Sequence, residues 1–145
     1  MPPGINRLAL RLLEIALGGL FVYAALQKHF HPDEFAEAVQ AYQLLPVSLV
    51  GAAAAVLPWV ELAAGLFLAV GLKRRSCLLL LAALTGGFLV VTLITMARGL
   101  EIDCGCGLFF ARQVGPAVVL EDLVILAWAV GLYRWEARAA GRPRP

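Results

Sequence analysis

Four apolar stretches, each long enough to cross a lipid bilayer as a helix, leave this chain few folds to choose from. A bilayer core demands about 20 apolar residues per helical span. Segments 8–26, 47–72, 77–97 and 114–133 meet that demand. Of the 145 residues, 61% are hydrophobic, against about 45–50% in a typical soluble domain. The expected fold is all-α, an integral membrane four-helix bundle over residues 1–135. A basic tail rich in Gly and Pro follows over 136–145 and reads as disordered. Arg11 and Glu14 interrupt the first stretch, unlike the apolar region of a cleaved signal peptide, so it reads as a retained span.

The formal charge of +2 is too small to suggest a nucleic-acid partner, but its placement carries information. Arg7, the run Lys73-Arg74-Arg75, and Arg134, Arg138, Arg142 and Arg144 fall on one side of the expected bundle. Lys28, Arg98 and Arg112 fall on the other. The side richer in Lys and Arg is expected to be cytoplasmic. Both termini are then inside an inner (cytoplasmic) membrane. The 28–46 connection and the 98–113 loop face the periplasm or exterior. Within 28–46, Pro32-Asp33-Glu34 reads as a helix start. Phe35, Val39, Tyr42 and Leu45 recur at helical spacing. This predicts a short amphipathic helix on the outer surface, either a lid over the second loop or a plain connector.

The chemistry centres on Asp103-Cys104-Gly105-Cys106-Gly107. An outward-facing loop meets oxidising conditions. A Cys-x-Cys disulfide closes a very small ring, and strain makes such a bond easy to reduce. A purely structural bond gains little from so short a loop. A redox-active disulfide is the preferred reading. Soft-metal capture, as by a mercury or copper carrier, and an incidental structural pair are the alternatives. No further metal-ligand set is assigned. Asp103 tunes a thiol, relays protons or merely ends the loop. Cys77 lies at the far end of the third helix, about 30 Å from the loop by helical rise, and reads as a buried small apolar residue.

Charged groups inside the spans form the second set. Glu61, one turn after Pro58, is a functional candidate because a carboxylate in lipid is costly. The plainer reading ties it to Arg11 or a hydroxyl. Glu121 and Asp122 lie near the depth of the cysteine loop. They either accept protons released on thiol chemistry or pair with Arg112 or Lys28. His29 and His31, with Lys28, are acid/base candidates or simple interfacial residues. Arg11 and Glu14 are three apart and read as a local ion pair. Gly18-Gly19 and Gly86-Gly87 read as close helix-packing points. Trp59 is an interface anchor or lines a ligand cleft.

These motifs together resemble the MauE family of methylamine-utilisation membrane proteins, within the wider DoxX-like group of four-helix membrane proteins. The resemblance rests on Leu57-Pro58-Trp59-Val60-Glu61-Leu62 with its apolar run to Gly71, on the Asp103–Gly107 motif, and on Gly18-Gly19-Leu20-Phe21 with Lys28. It covers about residues 8–133. It implies a membrane component of disulfide formation or maturation of envelope proteins, with Cys104 and Cys106 as the redox pair and an envelope thioredoxin-like partner. The chain has Cys-Gly-Cys-Gly-Leu-Phe where the family pattern more often has Cys-Gly-Cys-Phe-Gly. The expected function is a membrane thiol–disulfide oxidoreductase. Two electrons need an acceptor, and no haem, flavin or iron–sulfur motif is visible in the sequence, so a membrane quinone is expected. Cys104, Cys106, Asp103, Glu121, Asp122 and His29 are the catalytic candidates, and Glu61 and Trp59 the quinone-binding candidates. The rivals are the soft-metal carrier, a non-enzymatic assembly factor and a reductant relay running in the opposite direction.

Overall fold

The computed structural model describes residues 6–104 and 113–141. Five helices follow in chain order: α1 Arg7–Phe30, α2 Pro32–Ala41, α3 Val47–Val70, α4 Arg74–Ala97 and α5 Pro116–Ala140. Four of them, α1, α3, α4 and α5, are long and apolar enough to cross a membrane. The protein is therefore an all-α, four-helix membrane protein. Large side chains such as Leu8, Val56, Val90 and Val124 stand more than half exposed on the helix exteriors, as suits contact with acyl chains rather than water. α2 is the short helix expected from Pro32, with Phe35 and Ala38 buried on its inner face.

The closest helix contact joins α1 to α3. A Cβ at Gly18 would lie 2.5 Å from the Gly65 carbonyl oxygen, and one at Gly65 would lie 2.7 Å from the Gly18 carbonyl oxygen. Two backbones touch here, and only glycine leaves the room. The other glycines expected to pack closely do not. Nothing lies within 4 Å of a Cβ at Gly19 or Gly87, and Gly86 would meet only the end of Leu126 at 3.9 Å. Leu17, Leu68, Leu78, Leu81 and Ala129 form the dry centre around this contact.

The arginine-rich end is tied shut by charge. α3 stops at Gly71, whose φ of +88° favours glycine. The Leu72 N–H bonds the Phe67 carbonyl at 2.8 Å and the Gly71 N–H bonds that of Leu68 at 3.1 Å, a Schellman cap. Arg11 donates to the carbonyls of Leu68 and Ala69 at the same helix end and to Glu14 at 2.9 Å. The expected local Arg11–Glu14 pair is thus part of a larger tie. Arg74 donates to Glu14 at 2.9 Å and also to Glu136. Glu14 is 1% exposed, a depth a carboxylate tolerates when paired on both sides. This network explains two departures from the sequence expectation. α4 starts three residues earlier, at Arg74, and α5 runs on to Ala140 through residues expected to be a disordered tail. Cys77 is buried in this end, its thiol 3.6 Å from the Leu72 carbonyl.

At the other end α4 gives way to the cysteine loop. Arg98 donates to the Tyr42 carbonyl at 3.0 Å, which holds the end of α2. Asp103 and Gln113 form an antiparallel bridge, and the Val114 N–H bonds the Ile102 carbonyl at 2.8 Å. The base of the loop is closed by these contacts. Cys106 and Arg112 lie outside the described residues.

The α1–α3 contact gives a paired expectation. Gly18→Leu and Gly65→Leu should each lower stability by about 1–3 kcal/mol or more through overpacking. Gly19→Ala, with open space for its Cβ, should be neutral or slightly stabilising. Unfolding by dodecyl sulfate titration in detergent measures all three.

Candidate functional site

Beneath α2 the helices part around a cavity of about 370 Å³. Its walls are mostly aliphatic and aromatic, with a few polar groups: Lys28, Glu61, Asp122, Thr85, Tyr42 and Cys104. Lys28 lies near the end of α1. Its Nζ donates to both carboxylate oxygens of Glu61, at 2.8 Å and 2.6 Å. The reach follows from helix geometry. Side chains lean toward the N-terminus of their own helix. α1 and α3 are antiparallel, so Lys28 leans into the bundle and Glu61 leans back toward it. Arg11, the partner expected from sequence, is 17 positions earlier on α1, about 26 Å by helical rise, and is spent on the end of α3. The Lys28 ammonium also lies 5.2 Å from the centre of the Phe35 ring, which lays α2 over the pair. The two side chains are 9% and 13% exposed.

Tyr42 joins the roof to the cysteine loop. Its hydroxyl donates to the Cys104 carbonyl at 2.7 Å, and its ring meets Phe88 of α4 edge to face at 6.1 Å. Burial pushes the Tyr42 phenol above its usual range, and the charge of Asp122 adds to the effect. The phenol therefore stays a proton donor. Cys104 is 2% exposed, is disulfide-bonded and packs on Val118 of α5. Asp122, one turn on from Val118, is 4% exposed, and its Oδ2 has no hydrogen-bond partner among the described residues. A buried polar atom of this kind is a functional candidate.

The remaining sequence candidates fall elsewhere. Glu121 does not line the cavity, and its Oε1 is buried without a partner among the described residues. His29 points away: its Nδ1 lies 2.8 Å from the Ala25 carbonyl, and its ring stands edge to face on Trp59 at 4.7 Å. Trp59 is 63% exposed and does not line the cavity. His31 pairs with Glu34 at the surface. Asp103 is exposed at the loop base. The cavity thus brings together Cys104, Asp122 and Glu61 from the sequence candidates and adds Lys28 as Glu61's partner and Tyr42 as the loop anchor. Tyr42 stood on the expected apolar face of α2, but nothing in the sequence announced its bond to Cys104.

The molecule is a four-helix membrane protein with a roofed apolar cavity that holds one ion pair, a cysteine in its wall and a carboxylate oxygen without a hydrogen-bond partner among the described residues. The family described as methylamine utilisation protein MauE matches residues 6–134, and the chain belongs to that family. It is 36% identical over 130 residues to the methylamine utilization protein MauE of Paracoccus denitrificans, covering 88% of this chain and 70% of the relative. Against the protein of that name from Paracoccus versutus the identity is 36% over 117 residues, covering 79% of this chain and 63% of the relative. The Methylophilus methylotrophus protein of that name is 39% identical over 84 residues, covering 57% of this chain and 44% of the relative. No solved structure matches the chain.

The ion pair yields a double-mutant expectation. Lys28→Met alone leaves Glu61 buried without its cation and should cost about 3–5 kcal/mol. The double variant Lys28→Met, Glu61→Leu should recover most of that loss, since apolar pairs of similar volume replace buried ion pairs at little net cost. Unfolding curves in detergent for both variants check this.

Proposed function

We propose that this protein is a thiol–disulfide oxidoreductase of the inner membrane, carrying electrons from an envelope thioredoxin-like protein to a membrane quinone. The observation that carries this reading is the burial of Cys104 in the wall of the cavity that holds Asp122 and the Lys28–Glu61 pair. A thiolate of the partner attacks the Cys104–Cys106 disulfide to form a mixed disulfide, and the partner's second thiolate then attacks the partner's own sulfur in that bond and displaces this chain's cysteine as a thiolate. The partner leaves oxidised and the pair is left as two thiols. Reoxidation re-forms the sulfur–sulfur bond and sends two electrons and two protons to the quinone. Asp122 takes the thiol proton, since its Oδ2 is committed to no other group among the described residues. Tyr42 holds the Cys104 backbone in place for the exchange. Arginine enrichment at the opposite end of the bundle supports a periplasmic or exterior cysteine loop. The relatives are named for methylamine utilisation, which supports placing the relay in the maturation of envelope proteins for that process.

The reduction potential of the Cys104/Cys106 pair, read by thiol alkylation and mass shift in nanodiscs, should lie above about −300 mV, the region below which structural disulfides fall. Added quinone should reoxidise the pair rapidly. A potential well below that value, or thiols indifferent to quinone, would remove the relay. Cys104→Ser should abolish turnover, whereas an assembly role would survive it. Asp122→Asn should slow reoxidation by about 100-fold, in the range for loss of a general base, with the potential nearly unchanged. Stopped-flow oxidation of the reduced protein measures it.

A further inference from the structure

The cavity wall is thin on one side. Ala83 and Gly87 of α4 both line the cavity and both stand exposed on the exterior of the helix. They are one turn apart near the middle of a helix long and apolar enough to span a membrane. A residue that faces the interior and the exterior at once marks a gap between helices. Nothing lies within 4 Å of a Cβ placed at Gly87, so the gap is open at that point. The other exposed lining residues, Leu44 and Leu45, are bulky and sit by the α2–α3 turn, at the end of the bundle. The opening at Ala83 and Gly87 therefore leads to hydrocarbon depth, where a water-soluble ligand does not arrive and a lipid-borne one does.

We propose that Ala83 and Gly87 frame a lateral window through which a lipid-tailed quinone reaches the cavity from the bilayer, its ring inside and its tail leaving between the helices. The inference rests on the redox reading above and adds the ligand class and its route. The cavity volume falls at the small end of the range for small-molecule sites, about 300–1,000 Å³. That suits one ring and the start of a tail rather than a whole lipid. Lys28, with two of its N–H groups on Glu61, has its third for a ring carbonyl, and the aliphatic walls hold the ring. The overall step balances: two S–H bonds of Cys104 and Cys106 break, one sulfur–sulfur bond forms, and the quinone leaves through the same window as the quinol.

Gly87→Leu tests the window, with Ala83→Leu as a second plug. Both put a large side chain at the opening, and at Gly87 the helix has room for it. Gly131→Leu is the control: it adds the same side chain on the exterior of α5, also into open space and away from the cavity. The reduced full-length proteins in nanodiscs are mixed with a decyl-tailed benzoquinone or its tailless analogue, and thiol loss is followed by alkylation and mass shift. The ratio of tailed to tailless rates should fall about tenfold or more in the plugged variants, equivalent to a barrier near 1.4 kcal/mol. It should stay at the wild-type value in Gly131→Leu. Equal ratios in wild type and both plugged variants would overturn the window while leaving the quinone reading intact. Wild-type thiols inert to both quinones would overturn the redox reading and the window with it. Competition by phospholipid that leaves the tailed quinone no faster than the tailless one in wild type would mark the opening as an acyl-chain groove and overturn the assignment.

Discussion

The touching backbones of Gly18 and Gly65 set the geometry on which the rest depends. In a bilayer, helices gain nothing from escaping water, so their association rests on close packing and on polar groups that meet. Bringing α1 and α3 to backbone contact does both. It aligns the two antiparallel helices so that Lys28 meets Glu61 toward one end and Arg11 meets the terminal carbonyls of α3 toward the other. Neither charge has a place in hydrocarbon unless the partner helix is that close.

The two ends of the bundle spend their charges differently. At the arginine-rich end, Glu14 is bound by Arg11 and Arg74, Arg74 also binds Glu136, and α3 ends in a glycine cap. Four elements are locked, and little is left with which to do chemistry. At the cysteine-loop end the accounting is incomplete. Lys28 and Glu61 satisfy one another, but Asp122 keeps a buried oxygen without a partner among the described residues, and a cavity separates the walls. Buried polar groups left in that condition are costly in a bundle of this size, and cavities forfeit packing. This end carries both beside a cysteine, Cys104.

Much of the architecture was legible in the chain. The four spans, the short helix at Pro32 and the Arg11–Glu14 pair follow from apolar run length, proline placement and three-residue spacing, all local properties. Span ends were less legible, because Arg74 and Glu136 are charged and read as loop, yet they bind across helices and carry α4 and α5 further. At the site, Cys104, Glu61 and Asp122 were legible because a thiol pair or a carboxylate in an apolar run is conspicuous. His29 and Trp59 were conspicuous too, but they stack on each other away from the cavity. Residue type alone does not say which way a helix face turns. Gly65, unremarked in the sequence, proved to be the partner of Gly18, whereas Gly19 and Gly87 face open space.

The sequence by itself determined the class of fold, four apolar spans with one surface helix, because a bilayer tests each segment for length and hydrophobicity almost independently of the others. It also determined the chemistry on offer, through two thiols beside a glycine and a few carboxylates that lipid makes expensive. Only the tertiary structure decided which of these groups share a space. Lys28 rather than Arg11 holds Glu61, Tyr42 anchors Cys104, Asp122 keeps an oxygen without a partner among the described residues, and Ala83 and Gly87 both line the cavity and stand exposed. Those outcomes depend on the rotation and depth at which one helix meets another, which side-chain packing across the whole bundle sets and no single segment encodes.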